Sequence, residues 1–351
     1  MDVFLYPVLE KLGLYTPPDP TYGRYLLTIS DREKKLQAEP EVQIRQRRVF
    51  VKDGHFLRGE DVELTQEEID RGKGKKWVYY KEWQKGQGNG ADVIVLHGLN
   101  AYGGKWAAYI SGLLSNGFRV IAPDMPGHGR STGLHGYIQS HSRLLDALES
   151  VILDMDTYSN ARRKIFLIGA SMGGGIILNF CTLHPGKQRI AGVYILCPMI
   201  AVSPETMPNA LVRFVGRMTK FFAGRYPFAA VIRGKGSDDP RVEEELLSDP
   251  RGYSGKMRIA TGFSMLYCML DFTPSVIASF DLPFRVVHGT HDRVTSYKGS
   301  ISLFEKSSSK DKDLLLYDGV EHIMLKDVGS ERDETTAKVL LDMEEWLMKR
   351  V

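Results

Sequence analysis

One serine in this sequence has the surroundings of an enzyme nucleophile. Ser171 is the centre of Gly169-Ala-Ser-Met-Gly173, which lies between an apolar strand-like run and an apolar helix-like run, residues 176–183. This arrangement is typical of a nucleophile elbow, a turn so sharp that small residues must flank the serine. The helix that follows would point its N-terminus at an anion formed there. The competing interpretation is an ordinary glycine-rich turn.

A serine hydroxyl is a weak nucleophile at neutral pH, so it needs a histidine base and a carboxylate that orients the base. After an elbow of this kind the partners follow in the order Ser, then Asp or Glu, then His, each beyond a later strand. Asp292 follows the strand-like run 283–288, and His322 follows the run 313–317. We therefore predict Asp292 as the acid and His322 as the base.

Several neighbouring side chains are weaker candidates. Asp318 and Glu321 are rival acids, but residues so close to His322 in sequence usually point away from its ring. His288 and His291 stand too close to Asp292 to reach the serine while that aspartate orients them, so we expect structural roles for both. The spacing of His322 and Asp327 also matches an HxxxxD pattern found in some acyltransferases, which is a weak match.

Two backbone N–H groups are needed to stabilise the oxyanion of the tetrahedral intermediate. One belongs to the residue after the serine, Met172, and the other to the loop after an earlier strand, His97-Gly-Leu-Asn100. We predict Leu99 as the second donor, with Asn100 as the alternative. His97 and the turn 124–131 are expected to shape the site and not to react.

Short apolar runs alternate with helix-length segments and would position these residues. The strand-like runs are residues 48–51, 77–83, 92–97, 118–123, 164–169, 190–196, 283–288 and 313–317. The four runs from 92–97 to 190–196 are nearly continuous apolar runs, as expected for parallel strands covered on both faces, and the sheet is expected to resume at the last two. The chain would close with an amphipathic helix over about 334–349. The pattern predicts an α/β fold.

The strand rhythm stops for about eighty residues after Pro198. We predict an N-terminal extension at 1–45, a core formed by 46–198 and 281–351, and an inserted cap at 199–280. One cap segment has apolar residues at helical spacing with Arg213, Arg217 and Lys220 mostly on the remaining face. It could contact an anionic membrane, line an acyl tunnel, or pack on the core with a solvated basic rim. The candidate substrate contacts are Leu211, Phe214, Val215 and Met218, together with Asn100.

Composition narrows the class of protein. The 351 residues carry 46 Lys and Arg against 43 Asp and Glu, a net charge of +3 that does not suggest nucleic-acid binding. Cys181, Cys197 and Cys268 lie in apolar surroundings without zinc spacing, which indicates reduced thiols and no metal site. The start lacks the pattern of a secretory signal, and no apolar run is long enough to span a membrane. We expect a cytoplasmic protein. Whether it also makes peripheral contact with membranes or lipid droplets, through the cap or the N-terminus, stays open.

Taken together, these motifs resemble the α/β-hydrolase fold, and within it the monoacylglycerol lipase-like serine hydrolases. The similarity runs from about residue 48 to the C-terminus and includes the elbow, the Gly-His-Gly of turn 124–131, His288-Gly-Thr-His-Asp292 and Glu321-His322. It implies a mostly parallel eight-stranded sheet, flanked by helices, with an inserted helical cap. This sequence departs from the family pattern in three places. Many relatives have histidine where this sequence has Ala170, and the N-terminal extension and a longer loop near Gly72 are additions.

The resemblance implies hydrolysis of a carboxylic ester, most of all a monoacylglycerol or a similar lipophilic ester, through an acyl-enzyme and without a cofactor. Two other enzyme activities remain as alternatives. One is acyl transfer or cyclisation, and the other is hydrolysis of a specialised-metabolite ester. A third alternative is a non-catalytic lipid- or ligand-binding protein on the same fold, since a fold alone does not set function.

Overall fold

Nine strands form one sheet in the part of the chain that the structure describes. The computed structural model describes residues 5–11, 14–15, 17, 19–52, 55–58, 76–158, 163–184, 189–201, 210–229, 234–328 and 333–351. The strands of this sheet are β1 Val42–Lys52, β2 His55–Arg58, β3 Lys76–Lys85, β4 Ala91–Leu96, β5 Arg119–Pro123, β6 Lys164–Ala170, β7 Ile190–Leu196, β10 Phe284–Gly289 and β11 Lys312–Tyr317. The predicted mostly parallel architecture is confirmed, and the short β2 adds a ninth strand at the edge.

The strand order is β11-β10-β7-β6-β4-β5-β3-β1-β2. The first six strands in this order, from β11 to β5, pair in parallel. Strands β3, β1 and β2 continue the sheet as antiparallel neighbours. Because the carboxyl ends of parallel strands meet at one edge, the loops that follow β4, β6, β10 and β11 converge there. These four loops carry Leu99, Ser171, Asp292 and His322.

Helices cover both faces of the sheet, which explains why its central strands are apolar throughout. The described α-helices outside the cap are α1 Leu5–Lys11, α2 Asp31–Gln37, α3 Ser111–Ser115, α4 Ser142–Tyr158, α5 Met172–Leu183, α10 Tyr297–Lys306 and α11 Glu334–Met348. Within β4, Ile94 belongs to the core shared with Ile177 of α5, and Val95 belongs to the core shared with Trp346 of α11. Alternate residues of one strand therefore fill two separate cores.

The chain between β7 and β10 leaves the sheet, as predicted for a cap. Its described elements are α6 Ala210–Ala223, α7 Pro240–Ser248, α8 Ile259–Leu270 and α9 Pro274–Ala278, with a small antiparallel pair formed by β8 Pro227–Ala229 and β9 Met257–Arg258. The exact domain boundaries stay a prediction. Among the described helices, none has the length and apolarity needed to cross a bilayer.

The N-terminal extension is anchored to the core. The buried side chain of Arg24 donates hydrogen bonds to the carbonyl oxygen of Gly129, at 2.6 Å, and to that of Ser131. The first long strand starts at Val42, earlier than the predicted 48–51, so the extension joins the sheet directly. The predicted longer loop near Gly72 lies outside the described residues.

Candidate active site

Ser171 occupies a strained turn between β6 and α5. Its φ of 53° is rare for a non-glycine residue, and its N–H donates to the Leu196 carbonyl at 2.9 Å. A Cβ atom added to Gly173 would lie 2.4 Å from the carbonyl oxygen of Leu96, so only glycine fits there. The small flanking residues expected of a nucleophile elbow are therefore required by close backbone packing.

Asp292 and His322 meet in the loops after β10 and β11. The Nδ1 atom of His322 lies 2.6 Å from Oδ2 of Asp292, and Oδ1 of the same carboxylate accepts from the N–H groups of Val294 and Thr295. Burial alone would raise the pKa of Asp292, but hydrogen bonds from His288 and His322 lower it below its usual range. The carboxylate can therefore accept a hydrogen bond from Nδ1–H of His322, and in that tautomer of the neutral ring Nε2 is the acceptor.

His288 also contacts the carboxylate of Asp292. Its ring is fully buried, with Nε2 3.0 Å from Asp292 Oδ2 and Nδ1 2.7 Å from the hydroxyl of Ser300. Thr295 adds a hydroxyl hydrogen bond of 2.8 Å to the same carboxylate oxygen. His288 therefore lies beside the candidate acid, as its sequence position suggested, and its ring contacts Asp292, Ser300 and Thr295.

The rival acids make other contacts. Asp318 accepts a hydrogen bond from the Thr290 hydroxyl at 3.0 Å. Glu321 accepts from the Ser237 hydroxyl at 2.7 Å and from the Lys326 ammonium at 3.0 Å, and these bonds lower its pKa to about 2 against the effect of burial. Glu321 thereby joins the loop of His322 to the cap.

The two predicted oxyanion donors, Met172 and Leu99, are both near Ser171, and their role stays a prediction. Met172 is the first residue of α5 and is buried, while Leu99 lines the cavity in front of Ser171. A Cβ atom added to Gly98 would lie 3.6 Å from the Cβ atom of Ser171, which shows how closely this loop approaches the serine. Asn100 also lines the cavity, and its carbonyl accepts from the Tyr253 N–H of the cap at 2.8 Å.

His97 and turn 124–131 support that loop from below. Nε2 of His97 accepts from the Met125 N–H at 3.0 Å, and Nδ1 donates to the Gly98 carbonyl at 2.8 Å. Burial lowers the pKa of His97 to about 4, so the ring is neutral at physiological pH. Asp124 accepts from the N–H groups of Gly103 and Arg130, both at 2.7 Å. These contacts fit the structural role expected for both features.

Ser171 and His322 both line one cavity of about 360 Å³. Much of its wall is apolar, with contributions from Leu99, Trp106, Tyr109, Val242, Met257 and Met324. Charged side chains also line it: Arg32, Lys105, Glu243, Glu245, Lys326 and Asp327. The cavity can therefore take a ligand with an apolar part and a polar part.

The predicted cap contacts differ from those in the structure. Phe214 and Met218 are 65% and 55% exposed and are not among the described residues that line the cavity. The side chains of Leu211 and Val215 lie outside what the structure describes. The described cap lining comes instead from residues 234–257. Helical periodicity identified an apolar face on α6, but periodicity cannot show whether that face meets a cavity or solvent.

Sequence reasoning also missed Arg32 of the N-terminal extension. The pattern Ser30-x-x-Glu33 is a capping box, which could have predicted the start of α2, and the structure contains both of its hydrogen bonds. No local signal could have placed Arg32 at a cavity wall formed by residues far along the chain.

One group of described side chains has the spacing of metal ligands, namely Cys197, His288 and Asp292. Burial raises the pKa of the Cys197 thiol well above its usual value, which disfavours the thiolate that a metal would bind. His288 and Asp292 are already hydrogen bonded to each other. This donor set fits a hydrogen-bonded acid better than a metal centre.

Fold and site together define a serine hydrolase of the α/β-hydrolase type. A known family, described as Serine aminopeptidase, S33, matches residues 88–329, and the chain belongs to this family. The predicted monoacylglycerol lipase-like class, a class of carboxylic ester hydrolases, is confirmed.

The chain is similar to several characterised proteins. A caffeoylshikimate esterase of Arabidopsis thaliana is 29% identical, over 67% of this chain and 70% of the relative. A monoglyceride lipase of Mus musculus is 25% identical, over 79% of this chain and 88% of the relative. The crystal structure of a Paleococcus ferrophilus monoacylglycerol lipase superposes with a TM-score of 0.67 at 24% identity, over 78% of this chain and 99% of that one. This last likeness supports the fold alone.

Proposed function

We propose that this protein hydrolyses a lipophilic carboxylic ester, with a monoacylglycerol as the preferred substrate, through Ser171, His322 and Asp292. The supporting observation is the 2.6 Å contact between His322 Nδ1 and Asp292 Oδ2 beside a cavity that Ser171 also lines. The apolar wall suits an acyl chain, and the charged side chains suit a polar alcohol such as glycerol. Relatives named as monoglyceride lipases support the same substrate.

In the proposed mechanism, Ser171 Oγ attacks the ester carbonyl carbon while Nε2 of His322 takes the hydroxyl proton. The N–H groups of Leu99 and Met172 donate to the oxyanion. His322 then gives its proton to the departing alcohol oxygen, and the acyl group remains on Ser171 as an ester. Water repeats the attack along the same proton route and releases the carboxylic acid and the free serine. Asp292 stays ionised throughout and orients the imidazole.

The test combines active-site labelling with hydrolysis of graded substrates. Wild-type protein, Ser171→Ala and the exposed control Ser142→Ala are treated with a fluorophosphonate and then assayed on monoacylglycerols of increasing chain length. We expect labelling and hydrolysis in wild type and Ser142→Ala, and a loss of at least about a thousandfold in Ser171→Ala. Unchanged hydrolysis in folded Ser171→Ala would refute the serine mechanism. A folded wild type that is not labelled would favour the non-catalytic alternative.

A small aromatic ester is the second candidate substrate. The likeness to the caffeoylshikimate esterase, at 29% identity, favours it. Adding hydroxycinnamoyl esters to the same panel decides between the two substrate classes by comparing kcat/KM. Product analysis with added glycerol separates hydrolysis from acyl transfer, because transfer would yield a glycerol ester in place of the free acid.

We also propose that the cap contacts a lipid surface through the exposed face of α6. Phe214, Met218 and Phe222 are all more than half exposed on this helix, and Lys220 lies on the same helix. An apolar face flanked by cations can lie in the headgroup region of an anionic membrane. A lipophilic ester could then enter the cavity from that surface.

A further inference from the structure

The N-terminal extension contributes a residue to the substrate cavity. Helix α2 begins at a capping box formed by Ser30 and Glu33, and the carboxylate of Glu33 also pairs with the buried ammonium of Lys81 at 2.5 Å. Leu36 is buried in the core on the same helix. These contacts fix α2 against β3 and therefore fix the position from which Arg32 extends.

Arg32 links two other segments of the cavity wall. Its Nη1 atom lies 2.7 Å from Oε1 of Glu245 on α7, its Nη2 atom donates to the Asp327 carbonyl at 3.0 Å, and its Nε atom donates to the Asp327 carboxylate. The Arg32 side chain is only 21% exposed. Lys105, in the turn after the Leu99 loop, contacts the other oxygen of Glu245 at 3.0 Å.

The two partners of Arg32 belong to different walls of the same cavity. Glu245 lies on α7 of the cap, and Val242 and Leu246 of that helix also line the cavity. Asp327 lies in the segment that begins at His322 and lines the cavity through residues 322–328. One guanidinium group therefore ties the cap to the loop that holds the candidate base.

We propose that Arg32 is a positioning residue that sets substrate selectivity by fixing the separation between α7 and the His322 loop. The inference rests on the proposed function, and it assigns a role in substrate choice to a residue outside the family match at 88–329. With the bridge intact, the cavity wall is held at one width and favours compact esters. Without the bridge, α7 can move away from the loop, and bulkier esters gain relative to compact ones.

The variant Arg32→Met tests this inference because it keeps an unbranched apolar stem and removes the charge and the hydrogen bonds. The matched control is Lys34→Met on the same helix, since Lys34 is 58% exposed and pairs only with the exposed Asp31 among the contacts of the described residues. The measured quantity is the ratio of kcat/KM for a branched or doubly substituted acyl ester to that for a compact ester. A merely structural role would lower the active fraction equally for both substrates and leave this ratio unchanged.

We expect the ratio to rise by about threefold to tenfold in Arg32→Met and to stay at the wild-type value in Lys34→Met. Glu245→Gln should raise it in the same direction, and it provides the test if Arg32→Met does not fold. Fluorophosphonate labelling of Ser171 in each variant separates failure of the proposed mechanism from failure of this inference. Labelled, folded Arg32→Met and Glu245→Gln proteins with the wild-type ratio would overturn the proposal.

Discussion

His288 donates its Nε2–H to Asp292 across 3.0 Å, on the carboxylate oxygen that also accepts from His322. A carboxylate accepts only, so Nε2 must carry the hydrogen, and Nδ1 is then free to accept from the Ser300 hydroxyl at 2.7 Å. The candidate acid is thus held between two imidazole rings. Only one of these rings, that of His322, also lines the cavity.

Replacing His288 should raise the pKa of Asp292 while leaving its carboxyl group in place. In His288→Leu the carboxylate of Asp292 loses one of the hydrogen bonds that lower its pKa, so its negative charge is concentrated toward His322. We expect kcat/KM to fall by roughly tenfold and the acid limb of its pH profile to move to higher pH. Rates measured from pH 5 to pH 9 give both quantities.

The control for this experiment is Ser300→Ala, which removes the partner of His288 on the far side of the ring. It should change the rate less than His288→Leu and leave the acid limb in place. An unchanged pH profile in folded, active His288→Leu would show that the ring has only a packing role.

The stability of the protein should depend on pH through Asp124. Burial raises the pKa of Asp124 to about 6, so the folded state binds its proton more tightly than the unfolded state does. In the unfolded chain the pKa of Asp124 is about 4. The stability that the proton contributes is fully present below that pH and is lost as pH rises toward 6. The loss is at most about 3 kcal/mol of unfolding free energy and stays constant at higher pH.

Denaturant unfolding at several pH values between 4 and 8 measures this effect. The variant Asp124→Asn should lack this component of the pH dependence, whatever its own stability. If the wild-type and Asp124→Asn curves ran parallel over this range, the raised pKa of Asp124 would be wrong.

The elbow should tolerate no side chain at Gly173. The substitution Gly173→Ala forces a Cβ atom to within 2.4 Å of the Leu96 carbonyl oxygen, and backbone must move to relieve the contact. We expect a loss of about 1–3 kcal/mol of unfolding free energy together with slower labelling of Ser171. Thermal unfolding and labelling kinetics measure the two effects.

Gly262 provides the matched control because it lies inside α8, where a Cβ atom would meet only the flexible Met257 side chain, at 3.2 Å. Gly262→Ala should be neutral or more stable by up to about 1 kcal/mol, since alanine favours a helix. Equal effects of the two substitutions would argue against a special constraint at the elbow.

Contact with lipid should depend on the exposed apolar residues of α6. Replacing both Phe214 and Met218 by serine removes apolar surface that is already in water, so folding should be little affected. We expect binding to vesicles that contain anionic lipid to fall by at least about tenfold, while turnover of a short, soluble ester stays unchanged. Vesicle flotation measures the binding.

Exposed leucines elsewhere allow a control that also removes two exposed apolar side chains. Leu153 and Leu341 are both about half exposed and lie on α4 and α11, outside the cap. Their double replacement by serine should leave vesicle binding unchanged. If both double variants bound vesicles as wild type does, α6 would not be the contact surface.

The candidate catalytic residues could be predicted from the sequence because the prediction depends on local motifs and one topological rule. The elbow at Ser171 is visible in a few residues, and the order of Asp292 and His322 follows from strands with strong apolar signals. The long β1 was harder to predict because three arginines interrupt its apolar pattern. One of them, Arg47, is accommodated by an ion pair of 2.7 Å with the buried Asp154.

The walls of the cavity were not predictable in the same way. Arg32, Glu245 and Asp327 meet through contacts between distant parts of the chain, and no periodicity in any one segment encodes those contacts. The exposed face of α6 shows the same limit, since its apolar spacing is equally compatible with a core, a tunnel and a lipid surface.

The positions of β10 and β11 after the cap affect when the site forms during synthesis. Ser171 leaves the ribosome long before Asp292 and His322, and the whole cap is made in between. A nascent chain can fold its elbow early, but it has no acid or base until the last two strands join the sheet. Ester hydrolysis by the growing polypeptide would therefore report the folding of the sheet through β11, not of the elbow alone.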